Sequence, residues 1–231
     1  MTTDPRDAAL QSACPTLAAP RFGALPGMLN GQRIVVAANG VYLQVKLDWL
    51  DCTLLLSGMP AVPPLPYGRL EERIQFTFGV IPLRLLEAFI EAGRAGLPHE
   101  IAGGLIYSCR TGELRLQIYE ALSATSDRIR YRMPELEADE TIAVDLHTHG
   151  RLPAFFSPID DRDDQGIKVA GVFGELHSDT PSAAFRLAVN GYYRVIPNPW
   201  RAAQVANGLE TSSPWSILNW LRSIRDAKWN I

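Results

Sequence analysis

Hydrophobic and polar positions along the chain separate it into strand-like runs, one long amphipathic stretch and several turn-rich gaps. Ile34-Val35-Val36-Ala37 is followed by Asn39-Gly40 and then by Val41-Tyr42-Leu43-Gln44-Val45. Two apolar runs joined through Asn-Gly predict a β-hairpin with strands over 34–37 and 41–45. A third run, 52–56, stops at Ser57-Gly58. Pro60, Pro63, Pro64 and Pro66 then exclude regular structure and mark a boundary. Ahead of all this, residues 1–30 are rich in Ala, Pro and Gly without steady periodicity, and read as a loose tail settled on the body.

Beyond the prolines the period changes. Leu83, Leu86, Ala88, Phe89 and Ile90 form an apolar stripe opposite Arg84, Glu87, Glu91 and Arg94, which predicts a helix over 82–95 ended by Gly96. Strands are predicted over 101–107, 113–120, 128–132 and 141–146, the last running into His147-Thr148-His149. Ser157-Pro158 opens a short acidic helical turn. Strands follow over 167–174 and within 185–196. Ser213-Pro214, then Trp215, Leu218, Leu221 and Ile224, predict a C-terminal amphipathic helix. Strands interleaved with one long helix and shorter helical pieces imply an α+β or α/β fold. The division expected is a tail and small β-rich module over 1–75, a main domain over 76–200 and a helical extension over 201–231.

Composition narrows the function classes. The chain has 231 residues, 47% hydrophobic and 20% charged, as a folded globular chain does. Its formal net charge is −3, which argues against bulk electrostatic gripping of nucleic acid or an anionic membrane. Three cysteines, Cys14, Cys52 and Cys109, are too few and scattered for a disulfide framework, so a reducing, cytoplasmic setting is expected. The first fifteen residues carry two aspartates and no long apolar run, unlike a secretory signal, and no stretch has the length of an apolar membrane span.

Two of the four histidines are His147 and His149. Residues two apart on a strand share a face, so Asp145, His147 and His149 look outward while Val144, Leu146 and Thr148 face the core. Two imidazoles on one face suit a transition metal such as zinc. Seven residues on, Ser157-Pro158-Ile159-Asp160 has the form of a capping box, Ser at the N-cap and Asp at N3. That explanation is sufficient for the helix. The same Asp160 could also be a third ligand, leaving a fourth position open, as catalytic zinc sites do.

His147-x-His149, seven residues, then Ser157-x-x-Asp160 resembles the signature of the JAMM (MPN-plus, JAB-domain) zinc metalloproteases, whose members include deubiquitinating isopeptidases. Glu100-Ile101-Ala102-Gly103, directly after the predicted helix, resembles that family's upstream Glu-x-x-Gly. The resemblance covers about residues 80–200. It implies Zn²⁺ held by His147, His149 and Asp160, with Glu100 as general base and Ser157 as a hydroxyl donor. It implies a JAB/MPN sandwich related in layout to cytidine deaminases, with a mixed sheet flanked by helices and preceded by the β-rich module. The implied activity is zinc-dependent hydrolysis of a peptide or isopeptide bond at the tail of a ubiquitin-like β-grasp protein. The wider surroundings of the motif are similar to the bacterial PRTRC system protein A family. That likeness adds a ThiF/E1-like protein as a possible partner, and a non-catalytic interaction module of a plasmid-encoded PRTRC complex as the alternative.

Other candidates are weaker. Glu113 and Glu120 lie near enough in sequence to rival Glu100. Asp161, Asp163 and Asp164 read first as a solvated helix face, with support of the metal ligands from behind or substrate steering as the alternatives. Gly103 and Gly104 suit close approach of a neighbouring strand or of a substrate backbone, or equally a bulge or a tight packing contact. Cys52 and Cys109 read as buried thiols. His99 and His177 have no ligand spacing, and phosphate-loop and CxxC motifs are absent. The Arg128–Arg132 stretch is too small a basic patch to indicate nucleic-acid binding, and Trp200, Trp215, Trp220 and Trp229 read as a packed or partner-binding helix.

Overall fold

A computed structural model of the chain describes residues 4–59, 65–125 and 129–199. The first helix, α1 (Pro5–Ala13), is capped by the Asp4 carboxylate, which accepts from the Arg6 backbone N–H. Five strands follow: β1 (Thr16–Ala18), β2 (Gly31–Ala37), β3 (Gly40–Lys46), β4 (Leu50–Gly58) and β5 (Arg73–Phe76). They form one sheet in chain order, parallel between β1 and β2 and antiparallel elsewhere. The loose tail expected for residues 1–30 is therefore corrected. Residues 15–19 add an edge strand, with Ile34 N–H donating to the Pro15 carbonyl and Ala19 N–H to the Val36 carbonyl. A three-residue strand is too short to show periodicity, and its pairing is entirely nonlocal.

The second half begins with α2 (Leu83–Gly96), which buries Leu85, Leu86, Phe89, Ile90 and Gly93. Ala88, expected on the buried stripe, is exposed, and Leu85 takes its place. Then come β6 (Ala102–Ser108), β7 (Leu114–Ile118), β8 (Glu120–Ala124), β9 (Ile129–Arg132), β10 (Glu140–Thr148), α3 (Pro158–Asp163), β11 (Ile167–Gly174), β12 (Ser182–Val189) and β13 (Tyr192–Val195). Six of these strands make a mixed sheet in the order β13-β12-β11-β10-β6-β7, with β10 and β11 parallel. The single strand expected over 113–120 is two. Tyr119 turns into the interior between them, 4% exposed, and β8 leaves the sheet to pair with β9. The fold is a mixed α/β arrangement of several sheets and few helices, consistent with a JAB-like domain preceded by a β-rich module.

One apolar core joins the two large sheets. It runs from Trp49, Leu50 and Leu54 through Leu86 and Phe89 to Leu105, Leu146, Phe173 and Phe185. Trp49, Phe76 and Phe78 stack successively, and Phe78 meets Tyr107 of β6. Cys52 lies in this core, where burial pushes its thiol up to about 12. Cys109 does not share that fate. It sits exposed in the turn after β6, contrary to the expectation of a buried thiol. The expected helix over 201–231 and its tryptophans lie outside the described residues, as does Arg128. Among the described residues, no helix is long and apolar enough to cross a membrane.

Candidate metal centre

The centre is built on β10 and α3. β10 pairs with β6 on one side and β11 on the other, so its backbone is hydrogen-bonded on both edges. Pleating places Val144, Leu146 and Thr148 in the core and turns Asp145 and His147 to the opposite face. His149 follows just past the strand, anchored by its N–H to the Phe173 carbonyl at 2.7 Å. It is more enclosed than an outward-facing histidine would be, at 8% exposed, because the edge of Phe155 covers its ring at 4.6 Å between centroids.

α3 brings the carboxylate. The Ser157 hydroxyl accepts from Ile159 N–H at 3.2 Å and Asp160 N–H at 3.3 Å, while Asp160 Oδ2 accepts from Ser157 N–H at 2.6 Å. The expected capping box is present in full. It occupies only one of the two carboxylate oxygens. Asp160 Oδ1 points to His147, 3.2 Å from its Nε2.

His147 Nε2 and His149 Nε2 are 3.3 Å apart, and the three donor atoms of His147, His149 and Asp160 all lie within 4.8 Å of one another. Ligands at about 2.0–2.2 Å around a tetrahedral zinc have edges of roughly 3.3–3.6 Å. The 3.3 Å and 3.2 Å separations lie at the short end of that range, as donors around a common centre do. Two borderline nitrogens and one carboxylate oxygen are a donor set that zinc accepts. His149 Nδ1 is buried without a hydrogen bond of ordinary geometry, although the Pro153 carbonyl lies close enough to favour the charged ring.

Electrostatics favour the ligand forms. Burial, helped by neighbouring His147, pulls the His149 ring below its ordinary value, toward the neutral state that coordinates metal. Burial of Asp160 works toward the protonated acid. The His147 ring and the Ser157 hydrogen bonds outweigh it and hold the carboxyl well below the usual range.

A largely buried ionic chain, open to solvent at Asp161, ties α3 to the sheet. Lys168 on β11 reaches Asp145 on β10 at 2.6 Å and Asp164, just past α3, at 3.1 Å. Arg186 on β12 reaches Asp164 at 2.8 Å and Asp161 at 2.6 Å. The rings of Phe156 and Tyr193 sandwich its guanidinium, each with its centroid 4.0 Å away. The solvated-face reading of the acidic run is thus corrected for Asp164, which is buried, while Asp161 pairs with Arg186 from a half-exposed position and Asp163 is exposed. Sequence reasoning missed Arg186 and Lys168. The available signal was a single cation inside each of two apolar strands, SAAFRLAV and IKVAGVFG.

Glu100 sits just before β6 and is 7% exposed. β6 opposes Ala102 to His147, and Thr148 N–H donates to the Ile101 carbonyl at 3.0 Å. Glu100 therefore lies beside the end of β10 that carries the imidazoles, with its own N–H donating to the Thr125 carbonyl at 2.9 Å. Glu113 is exposed at the far end of the β6–β7 hairpin, about 16 Å along the strand from the Gly103–Ile118 pair. Glu120 belongs to the β8–β9 pair and binds Arg132 at 2.8 Å in solvent. Gly104 is needed where the Tyr119 ring crosses β6, since a Cβ there would lie 2.3 Å from the Tyr119 hydroxyl. That approach is internal packing, which the tight-packing reading of the glycine pair anticipates. His99 and His177 are outside the cluster.

No curated protein matches the chain. Among solved structures, the chain is similar to the solution structure of protein DSY2949 from Desulfitobacterium hafniense. The identity is 16% and the TM-score 0.38, with 49% of this chain and 86% of that one covered. Residues 4–77 match a domain of unknown function, DUF2016. Residues 82–188, which carry the whole His147–His149–Asp160 cluster, match the family of prokaryotic homologs of the JAB domain, and this match supports the JAB family for that part of the chain.

Proposed function

We propose that the protein is a zinc-dependent metallopeptidase or isopeptidase that hydrolyses a peptide or isopeptide bond, with the tail of a ubiquitin-like protein as its substrate class. One observation carries this reading: three donor atoms from a strand and a separate helix converge at spacings that fit a tetrahedral metal. Bound there, zinc would supply Lewis-acid polarisation of a carbonyl and a lowered pKa for water. His147 Nε2, His149 Nε2 and Asp160 Oδ1 would hold it.

Glu100 accepts a proton from the attacking water and passes it to the leaving amine nitrogen as the C–N bond breaks. The Ser157 oxygen accepts two backbone N–H groups, which leaves its own O–H free to donate to the carbonyl oxygen as negative charge develops. The likeness to the PRTRC system protein A family adds a ThiF/E1-like protein of the same system as a partner. It also supplies the competing reading, a non-catalytic module.

Metal analysis of protein purified without chelator, run beside cleavage of a β-grasp protein carrying a C-terminal extension, tests the proposal. Near-stoichiometric zinc with chelator-sensitive cleavage supports it. Zinc without cleavage of any extended or conjugated β-grasp substrate favours the interaction module, and absence of zinc removes the metal centre.

A further inference from the structure

The face of the five-stranded sheet turned away from the main core changes character along its strands. At one end Val35, Ala37 and Tyr42 pack with Ala19. At the other, pairing places Arg33, Gln44, Thr53 and Arg73 in one row across β2, β3, β4 and β5. Lys46 and Asp51 oppose each other in the next row. The row is linked by hydrogen bonds from Arg33 Nε to Gln44 Oε1 at 2.7 Å and from Gln44 Nε2 to Thr53 Oγ1 at 2.9 Å. Residues 25–28 pass over it, held by Arg33 Nη2 donating to the Pro26 carbonyl at 2.8 Å. Between this strap and the strands lies a cavity of about 260 Å³ lined by Arg33, Gln44, Lys46, Asp51 and Arg73.

The charges lining that cavity do not balance. Asp51 is engaged by Arg73 at 2.7 Å. Among the described residues, neither Arg33 nor Lys46 has a carboxylate within ion-pair distance, and the Arg33 hydrogen bonds go only to neutral acceptors. Arg33 is nevertheless buried, at 9% exposed. A guanidinium carries five N–H donors, and these two bonds use two of them. Three cations and one anion thus surround a small cavity in a chain whose formal net charge is −3.

We propose that this cavity is a binding site for a small oxyanion, a carboxylate or phosphate group, taken up by the remaining N–H donors of Arg33 with Lys46 beside it. The planar fork of arginine matches either group through paired, charge-assisted bonds. The volume falls just below the roughly 300–1,000 Å³ of pockets for drug-sized ligands, so it suits the charged end of a molecule better than a large body. The site is separate from the metal centre and does not depend on the reading of that centre.

The test is calorimetric titration of the full chain with sodium phosphate and, separately, sodium acetate, at constant ionic strength in chloride. Saturable binding of one anion per chain is expected. Preference for phosphate identifies a phosphorylated ligand, and preference for acetate identifies a carboxylate. Arg33→Gln should weaken binding by about tenfold or more, as loss of a charge-assisted bond does. Lys46→Gln should weaken it by about threefold, and Arg84→Gln, on the exposed side of α2, should leave it unchanged. Arg33→Gln also removes the charged anchor of the 25–28 strap, so Lys46→Gln, at a half-exposed position, is the independent arm. Absence of saturable binding by either anion overturns the proposal. Unchanged affinity in Lys46→Gln overturns it too, whether or not Arg33→Gln folds, since an anion held at the metal centre would be blind to that change.

Discussion

Arg186 grips Asp164 from the sheet, Nε at 3.1 Å and Nη2 at 2.8 Å from the same carboxylate oxygen. The pair is nearly dry, with side-chain exposures of 7% and 9%. Since Asp164 follows α3 directly and its N–H donates to the Asp160 carbonyl at 2.7 Å, this contact locates the carboxylate end of the candidate metal centre. Arg186→Met should destabilise the fold, but by less than the about 3–5 kcal/mol of a fully broken buried pair, because Lys168 still reaches Asp164 at 3.1 Å. Zinc affinity, read by competition with a coloured chelator, should fall with it. Adding Asp164→Asn should recover part of the stability. A single variant with the parent's melting temperature and zinc affinity would show that α3 is held by other contacts.

Asp160→Asn separates the two tasks of that residue. An asparagine carbonyl can still accept the Ser157 N–H, while its amide presents donors where Oδ1 faced His147. In chelator, the melting temperature should change by the equivalent of about 1 kcal/mol or less. The rise in melting temperature on adding zinc should vanish. Equal zinc binding in variant and parent removes Asp160 from the coordination shell.

Glu100→Gln preserves shape but cannot take up a proton. Cleavage of a ubiquitin-like tail substrate should fall by about 10²–10⁴ with zinc content unchanged. Glu113→Gln and Glu120→Gln should be nearly silent, since one carboxylate lies at the distant end of the hairpin and the other pairs with Arg132. Activity lost in either of those variants, with Glu100→Gln active, would assign the base elsewhere.

Acid should weaken the metal-free fold in two windows. The folded state holds His149 below its ordinary value, so the unfolded chain binds more protons there, and stability declines as pH falls below about 6.5. The Asp160 carboxyl is held low as well, so its stabilising contribution is complete above about 3.9 and is lost as pH falls through its folded value. Melting temperatures recorded in chelator between pH 7.5 and 3 check both. His149→Phe should flatten the upper window and leave the lower one. A parent curve level from pH 7 to 5 contradicts the first assignment.

The His147–His149–Asp160 cluster was legible because its information is local: two histidines at the end of one strand, and a capping box seven residues on. Strand 167–174 was legible for the same reason, as an apolar run broken only by Lys168. Other features depend on partners far away in sequence. Arg186 stands 22 residues from Asp164, and nothing in the local pattern of either announces the other. The setting of Glu100 depends on a register that shifts at a bulge between Ile142 and Val144, which alternation alone cannot locate. Tyr119 interrupts a strand pattern because its ring is drawn inward beside Asp145, and β1 exists only through its pairing with β2.

Helix α3 is six residues long, too short to persist in water on its own. Gly174 shapes the approach to it. A Cβ there would lie 2.2 Å from the Leu152 carbonyl oxygen, so the loop leading to Ser157 rests directly on the end of β11. One imidazole rides on a strand paired along both edges and the other on the residue just past its end, while the third donor rides on a splint borrowed from its surroundings. Metal would therefore act as a rivet between a stiff part and a compliant one. Its removal should leave amide exchange along β10 slow and let residues 157–164 exchange faster, making the short helix the natural reporter of whether the centre is filled.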